Sequence, residues 1–275
     1  MNRDTYDRVA AILEGHADSW PAVQAVDAHR EYWRPAHPRV LLLAESHVFT
    51  DEDELVEMRG ADEPRFGDLP DTFARFIYCL GYGEPRYIGH PMPTPTRTSR
   101  SRKNNGSPQF WKLLWSSVND IAGRTPLATS SSTKSPIEVL KSHTTYERRI
   151  RRKLQLLEEL RERGVWLVDA SIVALYRPGG TKPSAAQQRL AIQTSWDLHV
   201  RDVVREASPS FTIVIGKGVA RALGDRIDQA TSGQYVVLPQ PQARLSREAL
   251  VAVHRTYYEV CREHCGGVGP RSEAA

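Results

Sequence analysis

The feature that most constrains the fold is a set of short apolar runs separated by longer segments with helical periodicity. Such runs occur at residues 40–44, 165–176 (with the exit from the strand), 211–216 and 235–238. Strands that alternate with helices are joined by crossover connections, which place them parallel in one sheet between helices. The sequence therefore predicts an α/β fold, a three-layer α/β/α sandwich around a central, mostly parallel four-stranded sheet.

Helices are predicted where apolar residues recur every three or four positions. These segments are 4–13, 72–80, a start at 110, 148–163, 184–206, 218–223 and the stretch after Ser246. The acidic run 51–54 suits a helix start. The first half of segment 148–163 is crowded with cations: Arg148, Arg149, Arg151, Arg152 and Lys153. Cations oppose the dipole there, which favours phosphate contact, although a solvated face is the commoner explanation.

Length and composition indicate one globular domain. The 275 residues are 40% hydrophobic and 25% charged, and no apolar run is long enough to cross a membrane. We expect a glycosylase-like domain at 1–266 with a helical lead at 1–37, a loop insertion at 91–106 and a tail at 267–275. The polar N-terminus, the three cysteines and the net charge of +4 favour a cytoplasmic monomer with an anionic partner. Cys261 and Cys265 are interpreted as free thiols without a metal.

Polar side chains follow three of the predicted strands. They are Glu45, Ser46 and His47 after the first, Asp169 after the second, and residues 240–246 after the last. Ligands of open α/β sheets bind at the carboxyl ends of the strands, so these residues form a candidate site. The alternative is a set of ordinary polar strand ends.

The insertion at 91–106 is poor in apolar residues and rich in proline, serine, threonine and cations. Its cations are Arg97, Arg100, Arg102 and Lys103. Such a segment cannot bury a core and is expected to be a surface loop. It is either a solvated loop or an arm that contacts phosphate groups.

In order and spacing, the strand ends resemble the uracil-DNA glycosylase superfamily. Residues 44–47 stand where that family has G-Q-D-P-Y-H or G-E-A-P-G, residues 164–169 resemble G-V-L-L-L-N, and residues 240–246 stand where it has H-P-S-P-L-S. The layout of 177–183 and 211–223 is similar to the iron–sulfur branch. The cysteines of that branch are missing, so we expect no cluster and no cofactor.

The resemblance implies a monofunctional DNA glycosylase that flips a base and hydrolyses its N-glycosidic bond, leaving an abasic site. It assigns Glu45 to orienting the water, with His47 as substitute or helper. Gln240 and backbone N–H groups near Ser46 would stabilise the leaving base. The remaining expected contacts are Phe49 or Phe66 stacking on the base, Arg244 filling the gap in the duplex, and Lys217 holding a phosphate.

Asp169 stands where the family has the asparagine that reads uracil. A carboxylate only accepts hydrogen bonds, and among bases its usual partner is the amino group of cytosine. The resemblance therefore predicts a modified cytosine as target, for example in hypermodified phage DNA as part of antiviral defence. The alternative is that Asp169 merely ends a strand.

Three other functions stay open. The chain could be a repair glycosylase for uracil or another deaminated base, a non-catalytic DNA- or nucleotide-binding relative, or an unrelated hydrolase. The sequence has no G-x-S-x-G, H-E-x-x-H or Walker motif, which counts against the hydrolase.

Overall fold

The fold is built on one sheet of four parallel strands. The computed structural model describes residues 1–58, 68–84, 108–120, 137–140, 144–177 and 179–266. The strands are β1 (Val40–Ala44), β2 (Val165–Asp169), β3 (Phe211–Ile215) and β4 (Tyr235–Leu238), in the order β2-β1-β3-β4. Each strand pair is parallel, so the predicted α/β class is confirmed.

Helices flank this sheet in chain order. They are α1 (Arg3–Ile12), α2 (Trp20–Tyr32), α3 (Pro108–Val118), α4 (Tyr146–Arg163), α5 (Ala185–Ser195), α6 (Arg201–Ala207), α7 (Lys217–Leu223), α8 (Asp225–Thr231) and α9 (Arg247–His264). The predicted helix at 184–206 is α5 and α6, joined by a π-helical turn at Trp196–Val200. α4 packs on β2, α9 packs on β1 and β3, and α3 packs on α9. This arrangement is compatible with a three-layer sandwich. No helix in the described ranges is both long and apolar enough to cross a membrane.

β1 is the central element of the core. Each of its five residues is at most 1% exposed, which explains its unbroken apolar run. Val40 is in register with Val165 of β2 and with Phe211 of β3. From β1 the chain continues to β2, which lies on one edge of β1, and then crosses to β3, which lies on the opposite edge of β1. The strand order therefore reverses between β1 and β3, and a crevice is expected at their carboxyl ends.

The helix predicted at 72–80 is wrong. The described residues 71–84 form turns and bends, which are closed by short-range bonds such as Cys79 N to Phe76 O and tied by further backbone bonds to the segment after β1. Phe73 N donates to Val56 O, and Val48 N donates to Arg75 O. The segment is apolar on all sides, with seven of its residues at most 5% exposed: Phe73, Ala74, Phe76, Ile77, Tyr78, Cys79 and Leu80. Because apolar side chains are buried on every side of this segment, their spacing does not indicate the single buried face of a helix.

Some predictions fall outside the described residues. These are the loop insertion at 91–106 and the tail at 267–275. The acidic run was expected to begin a helix. It forms only a 3-10 turn, Glu52–Glu54, which begins with a capping box between Asp51 and Glu54.

Candidate active site

Two of the predicted site residues meet beyond the carboxyl ends of the strands. Glu45 directly follows β1, and Gln240 lies two residues after β4. The amide Nε2 of Gln240 donates to Oε2 of Glu45 at 3.1 Å. Gln242 in turn donates from Nε2 to Oε1 of Gln240 at 2.9 Å. This chain of bonds directs the NH₂ group of Gln240 at the carboxylate.

Two glycines after β3 make room for this pair. Gly216 has a φ of +108°, and a Cβ atom there would lie 2.7 Å from Cγ of Gln240. A Cβ atom on Gly218 would lie 3.4 Å from Oε1 of Glu45. Gly216 therefore meets two requirements at once, a backbone conformation that L side chains rarely adopt and a close approach to Gln240.

Ser46 ties the loop after β1 to the loop after β2. Its hydroxyl accepts from the backbone N–H of Leu175 at 3.1 Å and donates to the carbonyl of His47 at 3.0 Å. The hydroxyl of Ser46 thus has a structural task that fixes the orientation of the loop that bears Glu45.

His47 points away from the crevice into the protein. Its side chain is 0% exposed, its Nε2 lies 2.8 Å from Oδ2 of Asp18, and its Nδ1 lies 3.5 Å from Oδ2 of Asp169. Burial alone would lower the pKa of His47, but the two carboxylates outweigh burial and raise the pKa to about 9. His47 is therefore a buried imidazolium, and the predicted role as a helper of Glu45 does not fit this position.

Asp169 belongs to the same buried cluster. Its Oδ2 accepts from Arg30 at 2.7 Å, and its side chain is 2% exposed. Burial tends to raise the pKa of Asp169, but the bonds from His47 and Arg30 lower it below its usual value. The carboxylate is thus ionised and contacts two positively charged side chains. The predicted role as a reader of a base requires an open carboxylate, which this position does not offer.

A scan against protein-family models and searches of curated proteins and of solved structures found no match. The site is therefore interpreted from its own geometry.

Phe49, predicted to stack on a base, is 8% exposed. The guanidinium of Arg177 lies 4.5 Å from its ring centroid and forms an ion pair of 2.5 Å with Asp51. The neighbouring Tyr176 is 47% exposed, although the sequence places it at the end of a buried run. Tyr176 is thus the open aromatic ring of this loop, and Phe49 is a packed one.

Exposed cations lie on the segments that follow three of the strands. They are Arg177 and Lys182 after β2, Lys217 after β3, and Arg244 and Arg247 after β4. The predicted phosphate contacts of Lys217 and Arg244 are compatible with this exposure. The other predicted contacts, Phe66, Arg97, Arg100, Arg102 and Lys103, lie outside the described residues.

The cations of α4 serve the protein itself. Arg149 and Lys153 are buried, and both pair with Glu84, at 2.7 and 3.2 Å. Arg148 and Arg152 both pair with Glu138. The interpretation of this cluster as a phosphate contact is therefore wrong for the buried Arg149 and Lys153. Arg148 and Arg152 share one carboxylate and remain exposed. Arg151 is exposed.

The described residues contain no group of three or more side chains suited to a metal ion. Cys79, Cys261 and Cys265 are free and buried. Sequence reasoning missed Asp18, Arg30 and Tyr176. Asp18 and Arg30 lie in the amino-terminal lead, where no local pattern links them to His47.

Proposed function

We propose that the protein is a monofunctional DNA glycosylase with Glu45 at its centre. The observation that supports this most is the contact between Glu45 and Gln240, which joins the loops after β1 and β4 across the glycines after β3. A carboxylate beside an amide donor at the reversal point of a parallel sheet supplies both polar groups that base excision requires.

In this proposal, the carboxylate of Glu45 orients a water molecule against C1′ of the sugar. A bond forms between the water oxygen and C1′, and the bond from C1′ to the base nitrogen breaks. The proton of the water passes through Glu45 to solvent or to the departing base. The negative charge of Glu45 also stabilises the cationic sugar in the transition state.

Gln240 would assist the leaving base. Its amide has two N–H donors, and the bond to Glu45 uses one of them. The second can donate to an oxygen of the base as negative charge develops there. Ser46, by fixing the loop, acts as a positioning residue and not as a donor to the base.

The ring of exposed cations supports DNA as the partner. Arg177, Lys182, Lys217 and Arg244 come from loops that end at the same edge of the sheet as Glu45. Phosphate groups supply most of the affinity in such complexes, and they bind exposed lysine and arginine. Arg30 and His47 contact the carboxylate of Asp169, so the proposal does not rest the choice of base on that side chain.

The test is the formation of abasic sites on a DNA panel that carries uracil, cytosine, and methylated, hydroxymethylated or glucosylated cytosine. Alkali or an abasic-site endonuclease reveals the product. We expect product on one class of base, and a loss of about 100-fold or more in Glu45→Gln. The matched control is Glu259→Gln, an exposed glutamate on α9. Product with uracil alone would indicate a repair enzyme. DNA binding without product from any base of the panel would indicate a non-catalytic DNA-binding protein.

A further inference from the structure

The loop after β2 presents a half-exposed aromatic ring, Tyr176, next in sequence to Leu175, which bonds to the loop of Glu45. Tyr176 is 47% exposed, one of three large hydrophobic side chains exposed among the described residues. The other two, Leu190 and Leu245, are not aromatic. An exposed ring on a loop next to a cleft is a surface on which a planar ligand can stack.

Backbone bonds fix the main chain at Tyr176. Tyr176 pairs with Val48 in a parallel bridge, and its carbonyl accepts from Phe49 N at 3.0 Å. One residue earlier, Leu175 N donates to Ser46, which neighbours Glu45. Tyr176 is therefore fixed relative to Glu45 through the loop after β1, and its exposure is not that of a chain end or a long free loop.

Positive charge accompanies the ring. Nζ of Lys182 lies 5.5 Å from the ring centroid of Tyr176, and Arg177 is the next residue along the chain. Arg177 is paired with Asp51, whereas Lys182 lies over one face of the Tyr176 ring and leaves the other face for a ligand. An aromatic face beside an amino group matches a nucleotide, whose base stacks while its phosphate meets the cation.

We infer that Tyr176 and Lys182 form a stacking site for an unpaired base of single-stranded DNA. Bases of a duplex are covered by their neighbours, so this site favours single-stranded or locally opened DNA over the intact duplex. The inference deepens the proposed function, because it rests on DNA as the partner of the same edge of the sheet. It concerns binding and needs no chemical step.

The experiment measures fluorescence anisotropy with labelled oligothymidylate of about 12 nucleotides, a length within the usual range for single-strand sites. Because ordinary thymine is the ligand, binding can be measured whether or not the protein excises bases. We expect Tyr176→Ala and Tyr176→Leu each to weaken binding by about tenfold, and Tyr176→Phe to bind like the wild type. Leu190→Ala is the control for loss of an exposed apolar side chain, and it should bind normally.

A second oligonucleotide, in which abasic spacers replace the bases, separates stacking from charge. On that probe the wild type and Tyr176→Leu should bind alike. Lys182→Ala should weaken binding to both probes and reduce the salt slope by about 0.7. If Tyr176→Ala unfolds, as circular dichroism would reveal, Tyr176→Leu decides, because it keeps the bulk and removes only the aromatic face.

Three results would overturn the inference: equal binding by wild type and Tyr176→Leu, equal losses on both probes, or tighter binding of duplex than of single strand by the wild type. Failure of the proposed function is recognised separately. Tyr176-dependent binding without abasic-site formation would uphold the stacking site and reject the glycosylase.

Discussion

Oδ2 of Asp18 lies 2.8 Å from Nε2 of His47, although the two residues are 29 positions apart and belong to different layers of the fold. The other oxygen of Asp18 accepts from the backbone N–H of Ala174 at 3.0 Å. One carboxylate thus holds the loop after β1 and the loop after β2, so the orientation of Glu45 depends on the segment between α1 and α2.

The stability of the protein should fall at alkaline pH because of His47. Its pKa is raised from 6.5 to about 9, so the folded state holds a proton that the unfolded state releases. The contribution of His47 to the free energy of unfolding is complete below pH 6.5 and is lost as the pH rises through about 9. The loss is on the order of 3 kcal/mol, since one pKa unit corresponds to about 1.4 kcal/mol. Urea unfolding across this range measures it, and His47→Gln should show a flatter profile. An equally steep profile in that variant would assign the effect to another group.

Asp169→Asn should destabilise the fold without changing the choice of base. The substitution leaves the buried charges of Arg30 and His47 without their shared carboxylate, which costs about 3–5 kcal/mol. Urea unfolding and the DNA panel are the measurements. Asp27→Asn is the control, because Asp27 pairs with the same Arg30 but is 26% exposed, and it should lose less stability. A shift of product from cytosine-type bases to uracil in Asp169→Asn would restore Asp169 as the reader of the base.

Gly216→Ala should reduce abasic-site formation and stability together. The new Cβ atom would meet Cγ of Gln240 at 2.7 Å, and the φ of +108° adds strain of about 1–3 kcal/mol. Gly233→Ala is the matched control, with a φ of +74° and nothing within 4 Å of its Cβ position. It should lose stability from strain and keep its activity. Equal activity in the two variants would show that the contact with Gln240 has no catalytic consequence.

Gln240→Leu should slow base excision by about 100-fold, because leucine removes the amide donor. Single-turnover rates on the best DNA substrate measure the effect. Gln242→Leu loses only the bond that orients the Gln240 amide, so its loss should be smaller. The prediction fails if both variants lose activity equally.

Glu84→Gln should lower the melting temperature of the protein far more than Glu138→Gln does. Glu84 is 1% exposed and forms ion pairs with the buried Arg149 and Lys153. Removing its charge should lower the free energy of unfolding by about 3–5 kcal/mol. Glu138 binds the two exposed guanidinium groups of Arg148 and Arg152, and solvent screens both pairs. Thermal unfolding of the two variants gives the comparison, and similar melting temperatures would contradict the assigned roles.

The sequence predicts the sheet and the shared edge that carries Glu45 and Gln240, because both depend on local patterns. Apolar runs fix the strands, and parallel strands bring their carboxyl ends to one edge. The roles of His47 and Asp169 could not be predicted in this way. Their partners, Asp18 and Arg30, lie in another segment, and a sequence pattern does not report which side chain neutralises a distant charge. The same reason explains why the ion pairs of α4 were not predicted, since Glu84 and Glu138 lie in other segments of the chain.

The buried cluster of Asp18, Arg30, His47 and Asp169 also bears on protein engineering. A designer who transplants the Glu45 loop to another scaffold would need to carry two further segments with it, the stretch from Asp18 through the last turn of α2 and the end of β2. Otherwise an imidazolium or a guanidinium would remain buried without a counter-charge. The smallest transferable unit of this site is therefore three segments of chain and not one loop.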